Sequence, residues 1–164
     1  MARASQPIPR GFHTVTASLI VHNAAEAIEF YKKALGAKER MRMKAPDGKI
    51  GHAELEIGDS IVFLSDEYPN MGGKSPRTAG TYTGALYLYV PDVDKSFQQA
   101  VDAGGKVTMP VTDMFWGDRY GQFMDPFGHY WGLSTHTEDL TEPEIAERSK
   151  AFFESMAQKE KMTA

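Results

Sequence analysis

His52 and Glu54 stand two residues apart in the alternating stretch Ile50 to Ile57. In an extended strand that spacing puts both side chains on one face, with alpha carbons about 6.5 to 7 Å apart, so they could share a water or a substrate proton as an acid–base pair. The same spacing also suits an ordinary polar lining in which Glu54 orients His52. A second group lies further on, where Phe115 to Gly121 sets Trp116, Asp118, Arg119 and Tyr120 beside two glycines. That composition suits a loop presenting an aromatic platform through Trp116 and an anion-binding guanidinium through Arg119. It equally suits a structural arrangement in which Trp116 fills space and Arg119 pairs with Asp118 or Asp125. Tyr87 and Tyr89 alternate with Leu86, Leu88 and Val90, so the two phenols share one strand face and the aliphatic residues the other. With no cysteine, thiolate and disulfide chemistry are excluded, and any metal would have to use His and carboxylate.

The elements that must position these groups can be read from periodicity. Thr14 to Val21 alternates as a strand, with Val15, Ala17, Leu19 and Val21 on one face. Asn23 is a suitable N-cap for a helix carrying Ala24, Ala27, Ile28, Tyr31 and Leu35, and Gly36 sits where a left-handed C-cap belongs. Strand signals follow at Glu39–Lys44, Ile50–Ile57 and Ile61–Ser65. After a Gly-, Pro- and Ser-rich loop the order begins again. A strand at Ala85–Val90 precedes a helix capped by Asp92, with strands near Val107–Val111, Arg119–Met124 and His129–Thr135, and an amphipathic helix from Glu142 to about Gln158. Leu19 and Leu88, Asn23 and Asp92, Gly36 and Gly105, and Leu64 and Leu133 all differ by 69, which marks an internal duplication. The 164 residues carry 18 Lys+Arg against 22 Asp+Glu, a net charge of −4 that gives no basic footprint for nucleic acid. No apolar run approaches the roughly 20 residues of a membrane span, and the expectation is a cytoplasmic protein.

A tandem strand–helix–three-strand repeat resembles the vicinal oxygen chelate superfamily of glyoxalases, bleomycin-resistance proteins and extradiol dioxygenases. The wording Ala27-Ile28-Glu29-Phe30-Tyr31, Gly51-His52-Ala53-Glu54-Leu55, Phe115-Trp116-Gly117-Asp118-Arg119-Tyr120-Gly121 and Asp125-Pro126-Phe127-Gly128-His129 is similar to its PhnB-like branch. The resemblance implies an α+β fold in which tandem βαβββ repeats form a curled, cup-shaped mixed sheet, here with an extra C-terminal helix. It implies a domain over 12–137 made of modules 12–69 and 82–137 joined by a linker at 70–81; residues 1–11, whose composition is not that of a signal peptide, are read as a flexible arm, and 138–164 as a helix and tail.

In that superfamily first- and fourth-strand residues of each half usually hold a divalent metal. By resemblance those positions fall on Thr16, Phe63, Ala85 and Gly132, which offer no carboxylate or imidazole. The expectation is therefore a cup without the usual metal or any other cofactor. It would bind a small organic molecule through Thr16, Phe63, Tyr87, Tyr89, Trp116 and Arg119, in a homodimer, possessing neither nucleic-acid nor membrane partners. Sequestration or resistance would be one use of such binding. The alternative is a lyase, isomerase or dioxygenase in which His52 and Glu54 act as an acid–base pair or as part of an altered metal site. Whether one chain or a dimer forms the cup stays open.

Overall fold

The computed structural model describes residues 5–163; residues 1–4 of the expected arm and residue 164 lie outside the described residues. The first repeat contains β1 (Ala17–Val21), α1 (Ala24–Leu35), β2 (Lys38–Lys44), β3 (Ile50–Ile57) and β4 (Ser60–Asp66). A linker with a 3-10 turn (Pro69–Met71) and a short helix α2 (Pro76–Ala79) leads to the second repeat. That repeat contains β5 (Ala85–Tyr89), α3 (Val93–Asp102), β6 (Lys106–Asp113), β7 (Asp118–Met124) and β8 (Tyr130–His136), followed by α4 (Glu142–Thr163). The result is α+β: two four-stranded mixed sheets, ordered β1-β4-β3-β2 and β5-β8-β7-β6. In each, the first strand runs parallel to the fourth and the other pairs are antiparallel. No helix among the described residues is long and apolar enough to cross a membrane.

The two repeats use the same local devices 69 residues apart. Asn23 accepts a hydrogen bond from the Glu26 amide and Asp92 one from the Lys95 amide, caps worth about 1 kcal/mol each. The first helical amide of α1, on Ala24, donates to Asp66 at the end of β4, and that of α3, on Val93, donates to Thr135 in β8, both at 2.8 Å. Each sheet therefore fixes where its helix starts. The ends differ: α1 stops at Gly36, whose φ of 64° suits a residue without Cβ, whereas Ala103 caps α3 in a right-handed conformation, before Gly104.

Alternation places Leu19, Val21, Ala53, Leu55 and Leu64 under α1, and they are buried. Val15, expected on that face, is 85% exposed because β1 begins only at Ala17, opposite Val62. Its partner β4 starts at Ser60, after the Gly58–Asp59 turn, so little strand remains for residues before Ala17 to pair with.

Helices α1 and α3 pack on each other, and the helix-facing sides of both sheets share one core that includes Ile28, Leu55, Phe97, Phe123 and Trp131. Asp125, in the turn between β7 and β8, joins the repeats. Its carboxylate accepts from Tyr31 Oη at 2.7 Å and from Trp131 Nε1 and the Phe127 and His129 amides at 2.9 Å. His129 Nε2 meets the Ile20 carbonyl at 3.0 Å, so its ring also serves the join between repeats. Helix α4 packs through Phe152 onto Phe115 (ring centroids 5.2 Å), and Arg148 donates to Glu138.

Candidate functional site

Because both sheets turn one side to the shared core, their other sides point away from it, with α1 and α3 between them. Within one chain the expected site residues other than Arg119 therefore fall into two separate groups.

On the first sheet, β3 turns His52 and Glu54 to the outer side, as alternation requires, opposite Met43 and Met41 of β2. Phe63, on β4, packs edge-on against His52 with ring centroids 4.8 Å apart and against Phe12 of the N-terminal segment at 5.8 Å. An open cleft of about 470 Å³ between that segment and the sheet is lined by Pro7, Phe12, Thr16, Glu54 and Phe63, among others. His52 Nε2 stands 3.7 Å from Glu54 Oε1, beyond a hydrogen bond, and Arg40 Nη1 lies 3.7 Å from the other oxygen of Glu54. The two side chains are neighbours on one face without a shared proton.

On the second sheet a network organises the outer side that spacing alone did not reveal. Asp118, 2% exposed, lies opposite His136 in the β7–β8 ladder. Its Oδ2 accepts from Tyr89 Oη at 3.0 Å, from Ser134 Oγ and Trp116 Nε1 at 3.1 Å, and lies 3.3 Å from Tyr87 Oη. Its Oδ1 lies 2.8 Å from His136 Nδ1. A carboxylate oxygen can only accept, so His136 Nδ1 carries the hydrogen; Nε2 faces Asp139 at 3.0 Å in the same way. Burial by itself raises the Asp118 pKa, but the hydrogen bonds from His136, Tyr89, Ser134 and Trp116 outweigh it and hold the carboxyl below its ordinary value. The same contacts, with Asp118 foremost and Asp139 next, raise His136. The bond to Asp118, aided by burial, pushes the Tyr89 phenol up to about 12. Burial is the main cause of the rise at Tyr87.

Over this buried charge the phenols of Tyr87 and Tyr89 remain 45% and 67% exposed, and Tyr87 stacks on Tyr120 with rings 5.3 Å apart and 9° from parallel. Arg119, adjacent in sequence, has the opposite parity in β7 and does not join them. Its guanidinium grips Asp94 of α3 through two bonds of 2.7 and 2.8 Å and Asp113 through a third of 3.1 Å. The carboxylates of two residues already surround the guanidinium expected to receive an anion, and neither is the Asp118 or Asp125 considered from sequence.

The four positions that would hold a divalent ion do not fit one. Phe63 is engaged by Phe12 and His52, and at Gly132 an added Cβ would lie 2.7 Å from Tyr120 Cε2, so the Tyr120 ring occupies the room a longer side chain would need. Ala85 opposes Tyr130 at the start of the β5–β8 ladder, and Thr16 offers only a hydroxyl. Among the described residues, no group of three or more His, Asp or Glu is placed to hold a metal ion.

This arrangement of repeats, with these motifs, defines the class. The chain belongs to the Glyoxalase/Bleomycin resistance protein/Dioxygenase superfamily, whose family model matches residues 11–133. It is 45% identical over 130 residues to an uncharacterized protein of Mycobacterium bovis, covering 77% of this chain and 86% of that one. Among solved structures it is similar to TioX from Micromonospora, with a TM-score of 0.60 at 26% identity over 76% of this chain and 98% of that one. It shares its fold with the PhnB protein of Bacillus cereus, with a TM-score of 0.59 at 20% identity over 75% and 99% of the two chains.

Proposed function

We propose that this protein binds a small organic molecule, without a divalent metal, on the aromatic face built by Tyr87, Tyr89 and Trp116 over Asp118. The observation that carries the reading is that a buried carboxylate fixes two exposed phenols and an indole in place before any ligand arrives. Such preorganisation lowers the entropy lost on binding, and stacking on aromatic rings contributes affinity without demanding one particular compound. Two copies would complete the cavity. The outer side of the first sheet carries Met41, Met43, His52 and Phe63, partly or well exposed, and in one chain the helices separate it from the phenols. A homodimer placing the first sheet of one copy beside the second sheet of the other would enclose a ligand between them. Sequestration of a harmful compound is a use consistent with binding of this kind.

The test uses the two tryptophans. Trp131 is wholly buried in the core, whereas Trp116 borders the phenols, so a bound aromatic compound should quench Trp116. Titration of the full chain with a panel of planar aromatic compounds, in parallel with Trp116→Phe, should show saturable quenching that the variant loses, from a species of twice the chain mass by light scattering. Quenching that persists in Trp116→Phe, a monomer at every concentration, or about one tightly held metal per chain by elemental analysis would refute the proposal.

A further inference from the structure

The hydrogen atoms of this network have a direction, and it selects among ligands. Tyr89 has one hydroxyl hydrogen and donates it to Asp118. Tyr87 has one, shared between Ser134 Oγ at 2.9 Å and Asp118 at 3.3 Å, and Ser134 in turn donates to Asp118 or to the Arg119 carbonyl. The Trp116 N–H also points at Asp118. The donors of Tyr87, Tyr89 and Trp116 are therefore all spent inward, and what these two phenol oxygens present outward is lone pairs. Donation to a charged carboxylate polarises a hydroxyl and makes its oxygen a better acceptor. The ring faces add an electron-rich surface that attracts cations. Charge points the same way: with His136 protonated, Asp118 and Asp139 still leave the cluster one negative charge, and Arg119 on the other side of the sheet is occupied by Asp94 and Asp113.

We infer that the face of Tyr87, Tyr89 and Trp116 selects a planar cation bearing N–H donors, such as a protonated amino- or amidino-substituted aromatic ring, and discriminates against planar anions. This rests on the proposed binding function and adds the polarity of the ligand. An N–H of the bound cation donates to the Tyr89 oxygen while its ring lies over the phenols. A carboxylate in the same place meets two acceptor oxygens and, beneath them, a buried negative charge.

The test compares two three-ring compounds of similar outline, proflavine as the cation and anthracene-2-carboxylate as the anion, by calorimetric titration of the full chain at pH 7.5 and about 0.15 M salt. Proflavine should bind at least tenfold more tightly. Tyr89→Phe keeps the ring and removes the outward oxygen, and should shrink that preference at least threefold. Because Tyr89 is largely exposed, this variant should keep the fold, checked by its thermal transition. Equal or tighter binding of the anion to the wild-type chain would overturn the inference while leaving the binding function standing. Failure of both compounds to bind would overturn the two together. A preference for proflavine undiminished in Tyr89→Phe would overturn the role given to the phenol oxygen.

Discussion

Replacing Gly132 with alanine should destabilise the protein chiefly through a clash with the ring of Tyr120. The added Cβ would lie 2.7 Å from Tyr120 Cε2, 2.9 Å from Tyr120 Oη and 3.1 Å from Tyr87 Cδ2, where carbon atoms normally rest about 3.5 to 4.0 Å apart. Tyr120 cannot easily retreat: its ring is stacked on Tyr87 and its hydroxyl accepts from Gln122 Nε2 at 3.2 Å. Overpacking of this kind costs about 1 to 3 kcal/mol, and for a chain of this size each kcal/mol lowers Tm by about 2 to 4 °C. Urea and thermal unfolding of Gly132→Ala, Tyr120→Ala and the double variant would measure it. In the Tyr120→Ala background only the 3.1 Å approach to Tyr87 Cδ2 remains, so the alanine at 132 should cost much less, giving a coupling of about 1 kcal/mol or more between the two sites. Equal costs in the two backgrounds, or none in the wild-type chain, would refute the reasoning, and with it the claim that Tyr120 fills the room a ligating side chain would need.

Asp125→Asn keeps the shape of the side chain but removes its charge and turns one acceptor oxygen into a donor facing Tyr31 and Trp131 or the two turn amides. The expected loss is at least ~2 kcal/mol, seen as a shifted denaturant midpoint. The pH dependence has two opposite limbs. Arg42, hydrogen-bonded to Glu39, holds that carboxyl at about 2 against an ordinary 4.5. A lowered folded pKa contributes stability above the unfolded value and loses it as pH falls from about 4.5 towards 2. For this partly exposed pair the contribution is about 1 kcal/mol or less, and Arg42→Met should remove the larger part of it, because Lys32 still donates to Glu39 at 2.7 Å. His136 is raised, so its contribution is complete below about 6.5 and disappears as pH rises through the raised value. Denaturant midpoints between pH 6 and 9 should fall in the wild-type chain and flatten in His136→Gln.

Much of this was legible in the sequence wherever the information is local. The bounds of β3 follow from strict alternation, and both caps from residue type, since an Asn or Asp before a helical pattern has few other uses. The offset of 69 extends to Asp66 and Thr135, which perform the same task with different oxygens. The Asp118–His136 network was not legible in this way. Eighteen residues separate the pair, and only the ladder register sets them opposite each other. Arg119 was misleading for a related reason. Composition placed it in an aromatic loop, but the chain there is already strand β7, and alternation from buried Phe123 turns Arg119 towards α3. The bond from Tyr31 to Asp125 spans 94 residues and belongs to the packing of the two repeats, which no local pattern encodes.

The single core shared by the two repeats has a consequence of its own. Although each half carries a full set of strands and a helix, neither owns a separate interior: cutting the chain in the linker would bare the flank of α1 that meets α3 and strand Tyr31 without its acceptor. The duplicated halves lean on each other, and losing either one would open the interior of the other to water.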